Sequence, residues 1–71
     1  MEKFEGICKG NIYLAEISDC MFGGCKLMIW KVRQGREPKM HYTNQYDSRF
    51  DAKLSMEKCL PDADWRVLER S

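Results

Sequence analysis

Four cysteines and one histidine are the side chains of this sequence with the widest range of chemistry. They are Cys8, Cys20, Cys25, Cys59 and His41. In a secreted chain of this length, four cysteines would predict two disulfide bridges, but in a reducing compartment they remain thiols that often fill a core. Because the acidic N-terminal residues do not resemble a secretory signal, we expect reduced thiols and a cytoplasmic protein.

A zinc site is the alternative use of the same residues. Cys20 and Cys25 flank a glycine-rich loop, and Cys8, Cys59 or His41 would have to complete a set of four ligands. Typical zinc signatures contain two close ligand pairs, whereas this sequence contains one. We therefore expect no metal and no cofactor, and zinc at these positions remains an open alternative.

No group of residues matches a catalytic motif. His41 has no serine or cysteine nucleophile motif around it. The carboxylates Asp47, Asp51, Asp62 and Asp64 flank a predicted helix, where capping and dipole effects explain them. The spacing of the five glycines fits neither a P-loop nor a dinucleotide-binding loop. The sequence therefore predicts a protein that is not an enzyme.

Positive charge is concentrated in one segment. The net charge is +1, but residues 26–39 sum to +4, residues 1–25 to −2 and residues 40–71 to −1. The basic segment holds Lys26, Lys31, Arg33, Arg36 and Lys39 against Glu37. Such a patch can contact phosphates or an acidic protein surface.

Two β-hairpins are predicted to carry this segment and the residues before it. Residues 3–17 form the first hairpin, with Gly10-Asn11 as its turn signal. Residues 26–34 and 39–46 form the second hairpin around a turn at residues 35–38.

Alternation within the second hairpin predicts an apolar face and a basic face. On its first strand, Met28, Trp30 and Val32 alternate with Ile29, Lys31 and Arg33. On its second strand, Met40, Tyr42 and Tyr46 alternate with His41, Thr43 and Gln45. We expect the apolar side to lie against a following helix and the positive side to face outward.

A helix and a last strand complete the chain. Asp47 or Ser48 can cap a helix that runs to about Leu60, where Pro61 stops it. A strand follows at residues 65–70. The order β-β-β-β-α-β predicts a single α+β domain over residues 1–71, a small antiparallel sheet with one helix packed on one face. The longest apolar run, residues 27–30, is too short to cross a membrane.

In size, in strand order and in the helix from Ser48 to Leu60 followed by Pro-Asp-Ala-Asp-Trp, the chain resembles the compact accessory proteins of phages and other mobile elements. These include anti-CRISPR inhibitors, which are often short single α+β domains that block a host machine. The resemblance implies a small protein-binding module, an inhibitor of a host nucleic-acid-handling machine. It rests on no diagnostic motif, so it assigns no functional residue.

The residues expected to contact a partner lie on the basic hairpin and in the preceding loop. Met21 and Phe22, in the loop of residues 18–24, are either tucked under the sheet or offered to a partner, and Tyr and Arg are common interface anchors. The full set is Lys31, Arg33, Arg36, Tyr42, Tyr46, Met21 and Phe22.

Two alternatives remain beside a protein partner. One is a single-stranded nucleic-acid-binding domain, in which Tyr42 and Tyr46 stack bases beside the cations. The other is a homodimer, because a thin core and an unpaired strand edge favour self-association.

Overall fold

The chain forms five strands and one helix, joined by short connections. The computed structural model describes residues 1–70. Its strands are β1 (Glu2–Cys8), β2 (Asn11–Asp19), β3 (Cys25–Arg33), β4 (Arg36–Tyr46) and β5 (Asp64–Arg70), and the helix α1 (Arg49–Cys59) lies between β4 and β5. Every neighbouring pair of strands is antiparallel, and the sheet order is β4-β3-β2-β1-β5. The predicted α+β fold is confirmed.

Both predicted hairpins form, but the first turn lies one residue before the predicted Gly10-Asn11, and the second turn is shorter than predicted. Lys9 and Gly10 make the first turn with φ of 51° and 80°. Positive φ at both central residues matches the twist of the flanking strands. The second turn is Gln34-Gly35. The prediction of a turn over residues 35–38 was therefore too wide, since β4 already begins at Arg36.

The helix begins and ends where its capping residues predict. Ser48 has an extended backbone, and its Oγ accepts a hydrogen bond from the Asp51 backbone N–H at 3.2 Å. This contact satisfies one of the amide groups that the first helical turn leaves free. The helix ends at Cys59, two residues before Pro61. No helix within residues 1–70 has the length and apolar character needed to span a bilayer.

The core lies between α1 and one face of the sheet. The helix packs over β3 and also contacts β2 and β4, and its Ala52 and Met56 are fully buried. The buried sheet residues are Phe4, Cys8, Tyr13, Ala15, Ile17, Cys25, Leu27 and Ile29, with Leu60 after the helix. Alternate positions along β2 and β3 supply most of these side chains, because successive residues of a strand point to opposite faces.

The predicted faces of β3 are reversed in the structure. Leu27 and Ile29 are 0% exposed and face the helix, so Met28 and Trp30 lie on the opposite face. Lys31 pairs with Tyr13 of β2 and shares the helix side of the sheet with it. The outward orientation expected for Lys31 and Arg33 is therefore wrong, although both remain partly exposed because they lie near the end of β3.

A tryptophan covers the part of the helix side that α1 does not reach. Trp65 of β5 pairs with Gly6 of β1. A Cβ atom built on Gly6 would lie 2.6 Å from Cε3 of the Trp65 ring. The indole Nε1 is buried without a hydrogen-bond partner among the described residues, so packing, and not a polar contact, holds the ring there.

We predict that Gly6→Ala destabilises the fold by about 1 to 3 kcal/mol, because the added methyl group overpacks the site under the Trp65 ring. Urea unfolding of the variant measures the loss. A double-mutant cycle with Trp65→Leu supplies the control, since removing the ring should reduce the cost of Gly6→Ala. An equal cost in both backgrounds would contradict the assigned contact.

Candidate binding site

Two like-charge pairs lie at the β3–β4 end of the sheet. Lys31 is directly opposite Lys39, and Arg33 is opposite Arg36. Like charges placed across neighbouring strands destabilise a sheet. The ion pairs seen in residues 1–70 involve other cations, at positions 3, 49, 66 and 70. We use the name basic end for the four residues of the two like-charge pairs, Lys31, Lys39, Arg33 and Arg36. No neighbouring carboxylate neutralises their positive charge.

An open recess of about 510 Å³ lies beside the basic end. Its lining consists of Tyr13, Lys31, Arg33, Lys39, Met40 and His41. The rings of Tyr13 and His41 meet edge to face, with centroids 5.2 Å apart and an interplanar angle of 63°. The recess therefore combines three cationic side chains with an aromatic wall.

An irregular stretch of β4 shapes this recess. The register shifts between the pairs Ile29–Tyr42 and Trp30–Met40, so His41 is an extra residue in the edge strand. A β-bulge of this kind changes the direction of a side chain. It brings His41 to Tyr13 on the helix side of the sheet.

The arginine of the recess is fixed by the hairpin itself. Arg33 donates from Nε and Nη2 to the carbonyl oxygen of Glu37, at 3.0 and 2.8 Å. A second register shift lies beside this contact. Glu37 precedes Pro38, which has no N–H for a strand ladder and is tolerated at a sheet edge. The guanidinium is therefore held in place, and this limits the conformational entropy it loses on binding an anionic group.

Tyr42 and Tyr46 are engaged by the helix and are not presented beside the cations. Their hydroxyl groups are 2.6 Å apart, and that of Tyr46 is hydrogen-bonded to Ser55 of α1. Both side chains pack against the core. The hydrogen bond with Tyr46 lowers the pKa of Tyr42, whereas burial raises the pKa of Tyr46. These two predicted contact residues thus fasten β4 to α1.

Met21 and Phe22 lie at the other end of the sheet. Their side chains are 90% and 96% exposed, so they are not tucked under the sheet. The β2–β3 loop that carries them joins the strand ends farthest from the β3–β4 turn. The structure therefore does not bring these two residues together with the basic end.

Two contacts hold the base of this loop. Gly24 has φ of +77°, and a Cβ there would lie 2.6 Å from the Tyr46 carbonyl oxygen, so glycine is needed for the close approach. Arg49 donates to both carboxylate oxygens of Asp19 at 3.3 and 2.9 Å. This hydrogen-bonded pair lowers the pKa of the Asp19 carboxyl and raises the pKa of Arg49.

The cysteines are separate free thiols. Cys8 and Cys25 are buried at opposite ends of the sheet, and Cys20 and Cys59 are half-buried. Burial raises the pKa of the Cys25 and Cys59 thiols. In the part of the chain that the structure describes, no three His, Cys, Asp or Glu side chains come together as a metal site. The zinc alternative lacks a ligand set there.

Comparison with models of protein families, with curated proteins and with solved structures gives no match.

The structure adds Lys39 to the basic end, and Tyr13 and His41 to the recess beside it, although the sequence predicts none of the three as a contact residue. The sequence pattern predicts Tyr13 in a strand, Lys39 in the basic segment, and His41 in a strand or as a zinc ligand. A bulge brings His41 to Tyr13, and strand register brings Lys39 to Lys31. Neither pairing has a signal in local sequence spacing.

We predict that Lys39→Glu stabilises the fold by about 0.2 to 1 kcal/mol, because it replaces a like-charge cross-strand pair with an attractive one. Urea unfolding measures the gain, which should shrink as salt screens the pair. Lys39→Gln is the matched control and should give a smaller gain. A Lys39→Glu variant no more stable than the parent would refute the repulsion.

We predict that Asp19→Asn lowers the melting temperature at neutral pH but not in acid. The folded-state pKa of Asp19 lies below its usual value of 3.8. Its contribution is therefore present above that pH and is lost as the pH falls through the folded-state pKa. Melting curves from pH 7 to about pH 2 measure the gap between variant and parent, with Asp62→Asn as control. A gap that persists unchanged in acid would contradict this role.

Proposed function

We propose that this chain is a small, non-enzymatic protein-binding module whose basic end contacts an acidic surface of its partner. The observation that carries the proposal is the pair of like-charge contacts, Lys31 with Lys39 and Arg33 with Arg36. Each opposes folding of the hairpin, and their cost would be removed when a partner supplies negative charge.

The recess supports a specific mode of contact. Its cations flank the Tyr13 and His41 rings, so a carboxylate-bearing partner side chain can be neutralised by lysine while its aliphatic part lies on an aromatic surface. Arg33 is already fixed by the Glu37 carbonyl, which suits an interface anchor, because arginine is enriched at binding hot spots.

The partner we propose is a host nucleic-acid-handling machine, blocked by this chain in the manner of the anti-CRISPR inhibitors that it resembles in size and element order. Four free cysteines are compatible with a reducing compartment, so the cytoplasm belongs to the proposal. Met21 and Phe22 remain in it as a separate apolar contact, at the opposite end from the basic recess.

Binding of single-stranded nucleic acid is a second candidate. The recess favours it, since cations beside aromatic rings can neutralise phosphates and stack bases. Tyr42 and Tyr46 no longer support it, because their hydroxyl groups are bonded to each other and to Ser55. An acidic protein surface, which requires no row of free rings, therefore agrees better with the geometry.

We predict that the double charge reversal Arg33→Glu with Arg36→Glu abolishes partner binding and lowers the melting temperature only slightly, because one like-charge pair replaces another and the two Arg33–Glu37 hydrogen bonds that are lost are exposed. The control variant, Lys26→Glu with Lys53→Glu, lowers the net charge equally at exposed sites away from the basic end and should bind like the parent. Capture of the partner from host lysate, with and without nuclease, followed by affinity measurement on the purified partner, tests both.

Three outcomes separate the candidates. Retention that survives nuclease and is lost only in the Arg33/Arg36 variant supports the protein partner. Retention that disappears with nuclease and weakens steeply with salt identifies nucleic acid instead. Unchanged affinity in the Arg33/Arg36 variant refutes the basic end as the contact surface.

A further inference from the structure

The sheet face opposite α1, which we call the open face, has no element packed over it within residues 1–70. Its large apolar side chains include Ile7, Ile12, Leu14, Trp30, Met40 and Leu68. Ile7 is 52% exposed, Leu68 48% and Met40 44%. Exposed apolar area of this extent on a small domain marks a surface that another element covers.

These side chains form a continuous band because of the strand register. Leu14 pairs with Trp30, and Trp30 pairs with Met40, so the band crosses β2, β3 and β4. Ile7 pairs with Ile12 and extends it to β1. Trp30 lies between two recesses of about 190 and 480 Å³ that share Leu14 and Glu16. Side chains of a second surface can fill these recesses and interdigitate with the band.

The charges around the band neutralise one another. Lys3 lies 4.0 Å from Glu16 and 3.5 Å from Glu69, and Arg66 lies 2.8 Å from Glu5. Lys26 and Glu37 also lie on this face and have opposite signs, so the face carries no large excess of charge for a strongly acidic or basic partner. Two copies of the same surface meet without net repulsion, in contrast to two copies of the basic end.

The size of the open face matches a dimer contact. Five strands about 4.8 Å apart, each running about 25 Å, cover about 600 Å². Two such faces bury about 1,200 Å² in total, the lower bound of stable protein interfaces. A domain of 71 residues also has a thin core, and chains of this size often gain stability from association.

We propose that the open face is a homodimer interface, occupied by the open face of a second copy. Packing of two sheets face to face gives four layers in the order helix, sheet, sheet, helix. The basic recess is on the helix side of each sheet and stays accessible, so the dimer presents two copies of it. This inference does not depend on the proposed function, since it involves the opposite face and shares with the basic recess only Met40, at the edge of both surfaces.

Sedimentation velocity over a range of protein concentrations tests the dimer. The parent chain should change from the 8.4 kDa monomer to twice that mass as concentration rises. The double variant Met40→Lys with Leu68→Lys should remain monomeric, because two charges would be buried in the interface. Both positions are already exposed in the monomer, and circular dichroism verifies that the variant folds.

A control variant changes two apolar residues outside the open face that are more exposed than Met40 and Leu68. Phe22→Lys with Phe50→Lys adds the same charge at side chains that are 96% and 70% exposed, and it should dimerise like the parent. The Arg33→Glu and Arg36→Glu variant should also retain the dimer, which separates this test from that of partner binding.

Three results would overturn the interface. The first is a parent chain that stays monomeric at every concentration, whichever other molecule it binds. The second is a dimer that forms equally well in the Met40/Leu68 variant, which would move the contact to a strand edge or a loop. The third is a dimer that is lost in the Phe22/Phe50 control but kept in the Met40/Leu68 variant.

Discussion

One helix of eleven residues has to cover a sheet of five strands, and this imbalance determines the rest of the structure. The helix reaches β2, β3 and β4 on one face only. Trp65 packs on Gly6 to close the remaining part of that face, because a glycine leaves room for an indole ring directly above the strand. Nothing within residues 1–70 remains to cover the second face, so its apolar side chains are exposed in the monomer.

The stability of the buried core explains why the repulsion at the basic end is tolerated. Each fully buried aliphatic or aromatic side chain contributes about 1.5 to 3 kcal/mol, whereas cross-strand side-chain pairs change stability by about 0.2 to 1 kcal/mol. The buried cluster lies under the helix, and Lys31, Lys39, Arg33 and Arg36 lie beyond it at the end of the hairpin. The hairpin end therefore tolerates repulsion that the core would not, and its charges are available for a partner.

Much of the fold was accessible from the sequence, since capping and turn chemistry act locally. Ser48 and Pro61 bracket the helix, and Gly10 and Gly35 lie in the two hairpin turns. The faces of β3 were not accessible, because this strand is apolar on both sides. In the sequence, Met28 and Trp30 fit a core-facing pattern as well as Leu27 and Ile29 do. Only the placement of α1 decides which pair is buried. Phe22 and Arg33 lie apart for a local reason, because they flank the two ends of β3, whose nine residues span about 30 Å at about 3.3 Å per residue.

The bulge at His41 links the two candidate surfaces physically. Without an extra residue, strict alternation in β4 would place Met40 on the same side as Tyr42, as the sequence pattern suggested. The register shift instead pairs Met40 with Trp30 on the open face and leaves His41 beside Tyr13 on the helix side. One added residue in an edge strand therefore supplies the apolar band and the wall of the basic recess together. Any change that removed the bulge would alter both surfaces at once while leaving the core under α1 intact.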